Sequence, residues 1–148
     1  MKWGKVLFAA VAATVFNAIY GIATCGWLFK WIYAIEPTNV WKPESAYTGA
    51  FWAKVYIGSL ILWFFFAAAY GLINKVFTAD CSLCKGAAYG LIIWLVGMLP
   101  GMWMTYSFMT VSYQVVIYWT ISGLVSLMIS GMIVAAIYGK KECSCCCG

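Results

Sequence analysis

The sequence predicts an all-α fold, a bundle of four transmembrane helices joined by short loops, and three observations carry that expectation. Hydrophobic residues make up 66% of the 148-residue chain and charged residues only 9%. A soluble domain carries about 25% charged residues because its skin must be hydrated, so most of this surface is expected to face lipid. The apolar residues also fall into four runs, each longer than the ~20 residues that cross ~30 Å of hydrocarbon. Finally, many of the lysines stand singly at the ends of those runs, where anchoring at lipid headgroups places them.

The four runs make one unit over residues 1–148, with expected spans at about 6–35, 51–77, 87–108 and 115–138. The first follows Lys2 and Lys5 and closes on Trp27, Trp31 and Tyr33. A secretory signal has an apolar core of roughly 7–15 residues and a small-residue cleavage site, so this longer run reads as an anchor that stays in the protein. Glu36-Pro37 ends it, because proline disfavours helical geometry in the residue before it. The segment to about Gly49 holds Pro37, Pro43, Glu36 and Glu44 and reads as an extended polar loop. Asp80, Cys81, Ser82, Cys84 and Lys85 mark the second turn, and Thr110, Ser112 and Gln114 the last link.

Lysine asymmetry orients the bundle. With four spans, the N-terminus, the second loop and the C-terminus share one side, which holds Lys2, Lys5, Lys75, Lys85, Lys140 and Lys141. The other side holds Lys30, Lys42 and Lys54. The positive-inside rule places the richer side in the cytoplasm, so both termini are expected inside, in a bacterial inner membrane. A net charge of +5 could also suggest nucleic acid, but no basic cluster forms a footprint for it.

Lipid gives little hydrophobic drive between helices, so small residues and polar contacts must hold them together. Gly86, Gly90, Gly97 and Gly101 fall in a narrow arc at 100° per residue, an expected groove for a neighbouring helix. Pro100 beside it is expected to kink the helix. Ser122, Ser126 and Ser130 repeat every four residues on the fourth run, with Gly123 and Gly131 alongside. On the first, Thr14, Asn17, Gly21 and Cys25 share a face, and Asn17 should hydrogen-bond to another helix. A substrate path along these groups competes with plain packing, and packing is the stronger reading. No acid lies mid-span, which disfavours proton-coupled transport. Trp63, Phe64, Phe65, Phe66, Trp94 and Trp103 read as bulk facing lipid rather than as a cofactor pocket.

Cysteine is the one chemically suggestive residue type. Cys81 and Cys84 form a C-x-x-C pair, and Cys143, Cys145, Cys146 and Cys147 follow the last run. Both groups fall on the expected cytoplasmic side, where thiols stay reduced. Cys81, Cys84, Cys143 and Cys145 could hold Zn²⁺ in tetrahedral sulfur geometry, and fewer thiolates would suit Cu(I). S-acylation beside the lysines and plain interfacial thiols are the competing readings. With the orientation inverted, a thiol–quinone oxidoreductase becomes conceivable, similar in architecture alone to the vitamin K epoxide reductase class. Mercury-uptake proteins carry a cysteine pair in the first span, where this chain has Cys25 alone.

Histidine is absent, which removes His-ligated haem and the usual general base near neutral pH. No nucleophile–base pair or phosphate loop stands at workable spacing. The expected function is therefore a small non-enzymatic membrane subunit that needs no cofactor. Its expected partners are the lipid bilayer and either copies of itself or other membrane subunits.

Overall fold

In the computed structural model, which describes residues 3–38, 40–77 and 81–139, the apolar runs become four helical rods. These span Trp3–Leu28, Gly49–Val76, Ser82–Phe108 and Tyr113–Tyr138, and each is long and apolar enough to cross a membrane. The shortest, at 26 residues, reaches about 39 Å at ~1.5 Å per residue. Among the described residues there are helices and turns but no strand.

The first rod is α1 (Trp3–Gly21) continued by a π-helical turn, Ile22–Leu28. The Phe29 N–H reaches the Thr24 carbonyl at 2.8 Å, and the Thr24 hydroxyl donates to the Tyr20 carbonyl at 2.7 Å. Hydroxyl back-bonding of this kind competes with the regular ladder and loosens it. The rod stops at Leu28, short of the expected 35, and a 3₁₀ turn over Lys30–Ala34 folds Ile32 into a buried position. Hydropathy alone did not mark that end, because apolar residues continue past it to Ile35 with Lys30 the single charge among them.

Thr48 caps α2 (Gly49–Ile73), its hydroxyl accepting the Phe51 N–H at 3.3 Å. A 3₁₀ turn, Asn74–Val76, ends that rod. The third rod comprises α3 (Ser82–Ile93), a π-helical turn (Trp94–Met98) and α4 (Leu99–Phe108). Pro100 stands in the first turn of α4. Its missing N–H and its ring would disrupt a regular helix, and the π turn just before it accommodates both. Four residues then lead into α5 (Tyr113–Tyr138).

Lys5 donates to the Tyr138 carbonyl at 3.4 Å, tying the start of α1 to the end of α5 at one end of the bundle. The core sits at this terminal end. Val6, Ala9, Ala10 and Ala13 of α1 meet Trp63, Phe66, Ala67 and Tyr70 of α2, Tyr89 of α3, and Val134 and Ala135 of α5. The three alanines of α1 and Ala67 of α2 are fully buried, which lets α1 and α2 approach closely. Tyr89 is fully buried too, and its hydroxyl donates to the Phe66 carbonyl at 2.9 Å. Trp63 and Phe66, expected to face lipid, are therefore core residues, whereas Phe65 and Trp103 do face outward. The run Trp63–Phe66 is aromatic on all sides, so only packing could tell its two faces apart.

Candidate functional site

The fourth rod carries two seams on different faces. Ser122, Ser126 and Ser130 lie one turn apart on α5 and face α1. The Asn17 amide donates to Ser130 Oγ at 2.8 Å and to its own Ala13 carbonyl at 2.9 Å, and the Ser126 hydroxyl donates to Asn17 Oδ1. A turn further on, the Tyr20 hydroxyl meets the Ser122 hydroxyl at 3.1 Å. Each group satisfies the next, so no polar atom of the Asn17 amide is stranded. Thr14, on the same stretch of α1, bonds only its own Ala10 carbonyl, at 2.8 Å.

Glycines form the second seam. A Cβ at Gly86 would strike the Gly131 carbonyl, and one at Gly90 the Leu127 carbonyl, so α3 and α5 touch backbone to backbone there. Gly97 and Gly101 behave differently: a Cβ at either meets no atom of the described residues within 4 Å. The π turn, which begins after Gly90 and itself contains Gly97, supplies the reason. It holds about one more residue per turn than an α-helix, which rotates everything after it by roughly 100°. An arc drawn at constant pitch is thereby split into one half against α5 and one half facing outward.

Beyond the π turn, α4 diverges from tight packing and has no buried residue. Two openings result. An apolar groove of about 690 Å³ runs between α4 and α5, lined by residues such as Leu99, Trp103, Tyr106 and Ile117. A smaller cavity of about 290 Å³ lies between α1, the π turn and α5, and Asn17, Cys25, Met98, Met102, Trp119 and Ser126 are among its walls. No acid or lysine of the described residues lines it.

An aromatic cluster closes this end. Trp119 donates its indole N–H to the Tyr33 hydroxyl at 2.9 Å, and Tyr33 and Trp119 both pack edgewise or tilted against each other and against Trp41. The buried Trp41 indole nitrogen has no partner among the described residues. Burial, and after it the neighbouring Cys25 side chain, hold the Tyr33 phenol well above its ordinary pKa.

The cysteine pair stands at the terminal end. Cys81 occupies the position just before α3 and is disulfide-bonded, while Cys84, one turn on, is an exposed free thiol. Among the described residues no three His, Cys, Asp or Glu side chains gather as a metal site. Cys143 and Cys145, the other two ligands expected from sequence, lie outside the described residues. Sequence reasoning passed over Met98, Met102, Tyr20, Tyr118 and Trp119. The four-residue spacing of Met98 and Met102, one helical turn, was the available signal for two of them.

No protein-family model, no curated protein and no solved structure matches this chain.

Proposed function

We propose that the chain is a four-span membrane protein with both termini in the cytoplasm of a bacterial cell, acting as a non-enzymatic subunit that associates with copies of itself or with a larger membrane complex. One observation carries the reading: a Cβ added at Gly97, in the π turn, or at Gly101, in α4, would meet nothing from another element of the described residues, beside an apolar groove. Small residues let a second helix approach closely, and in lipid such approach is a main source of helix association. The matching pair, Gly86 and Gly90, already seats a helix in this way within the chain. Six lysines against three support the orientation.

Gly97→Leu and Gly101→Leu are expected to abolish self-association in mild detergent while leaving the single chain folded. Native mass spectrometry reads the outcome, and unchanged oligomers in both variants would sink the reading. Orientation has its own test. A membrane-impermeant maleimide is expected to label Cys84 only after intact cells are opened. Labelling from outside would instead favour the thiol–quinone alternative, which needs these cysteines on the outer face.

Soft-metal binding is a second reading with its own support. In a reducing cytoplasm the Cys81 disulfide opens, leaving two thiols at the chelating C-x-x-C spacing that a site for Zn²⁺ or Cu(I) uses. Cys81→Ser and Cys84→Ser are each expected to lower the metal bound by the anaerobically released protein. A metal content equal to that of the unaltered chain removes this reading.

A further inference from the structure

The geometry points to a second soft-cation site, in the open cleft between the first, third and fourth rods, in which Cys25, Met98 and Met102 bind Cu(I). This deepens the soft-metal reading but uses none of the cysteines on which that reading rests. Three sulfur-bearing side chains line the 290 Å³ cavity, Cys25 from the first rod and Met98 and Met102 from the third. Met98 ends the π turn and Met102 follows four residues later, so both thioethers project to one side. The Met98 sulfur lies against the bare backbone of Gly123.

The chemistry of the walls selects the ligand. Among the described residues, no carboxylate lines the cavity, so a hard divalent cation finds neither its preferred oxygen donors nor enough negative charge. No lysine lines it either, so an anion is equally unmatched. Thiolate and thioether donors favour Cu(I). When Cu(I) binds, the Cys25 proton leaves to solvent or buffer and the sulfur coordinates as thiolate. One positive and one negative charge then cancel, so the site adds no net charge to an apolar surrounding, where a bare charge is costly. The Tyr118 hydroxyl stands 3.5 Å from Cys25 Sγ and can donate to that thiolate. Methionine side chains have the freedom to close on an ion. As thioethers facing lipid the two methionines would serve as filler, but here they line one cavity together with a thiol.

The test uses the full chain in mild detergent without oxygen, with Cu(I) as the probe. Methyl methanethiosulfonate, a small thiol reagent, is applied with and without Cu(I), and modification of Cys25 is read by peptide mass spectrometry. Because the readout is specific to Cys25, metal at Cys81 or Cys84 does not enter it. Cu(I) is expected to slow modification of Cys25 strongly, because the thiolate that the reagent needs is then held by the metal. Met98→Leu with Met102→Leu, which keep the volume of the cavity wall, are expected to remove that protection, and copper-edge absorption of the loaded protein with every cysteine but Cys25 changed to serine should show a sulfur-only shell. Equal modification with and without Cu(I), protection that survives in the double leucine variant, or a Cys25 that so small a reagent never reaches overturns the site.

Discussion

The third rod presents two different surfaces on either side of one π turn. On the α3 side, Gly86 and Gly90 press against the backbone of α5, and Tyr89 is fully buried. On the α4 side, a Cβ added at Gly97, inside the turn, or at Gly101, just past it, would meet no neighbouring element of the described residues, and no residue of α4 is buried. Composition does not separate the halves, since both are apolar and both carry a glycine pair four residues apart. Five residues of altered pitch do. Glycine therefore has opposite consequences in one helix: it permits contact in α3 and leaves a face vacant in α4.

That contrast can be tested by adding a methyl group to each half. Gly90→Ala drives a Cβ into the Leu127 backbone, which cannot yield as a side chain can, and is expected to destabilise the chain by about 1–3 kcal/mol. Chemical unfolding in detergent measures it, and a stability within error of the unaltered chain would break the comparison. Asn17→Ala comes next. It strips Ser126 and Ser130 of their α1 partner and is expected to cost about 1 kcal/mol, near the middle of what such bonds contribute inside membrane bundles. Gly123→Ala meets only the flexible Met98 side chain and should cost less than Gly90→Ala in the same assay. A larger loss would show the Met98 position to be rigid. Gly101→Ala has the opposite sign, with a gain of up to about 1 kcal/mol for the single chain from helix propensity alone. A clear loss there in the monomer would mean that the α4 face is already occupied.

The smallest effect concerns pH. The Tyr33 phenol has a raised pKa, chiefly through burial, so the folded chain holds this proton more firmly than the unfolded chain does. Its contribution is complete below the ordinary tyrosine value of about 10 and fades as the pH rises through the folded value. Tyr33→Phe is expected to flatten the alkaline limb of a stability profile, and an identical limb would discount the burial of that hydroxyl.

Residues with one role whatever their neighbours were legible from sequence. Asn17 was expected to seek a partner on another helix, and the structure gives it Ser126 and Ser130. The apolar runs became rods because each exceeds the membrane-spanning length. Residues whose role depends on the partner were not legible. Trp63 and Phe65 look alike in sequence, yet one is buried and the other exposed. The Cys25–Met98–Met102 grouping joins positions more than seventy residues apart in the chain, beyond the reach of any local pattern.

The sequence by itself determined that the fold is helical, that it has four rods, and where most of the rods turn. Length and hydropathy decide these, and both are local sums along the chain. Tertiary structure alone decided which face of each rod is inside, where the first helix stops, and how the glycine row divides. Those outcomes follow from helical pitch and from contacts between distant residues. A single π turn rotates ten downstream residues without changing one letter of the sequence.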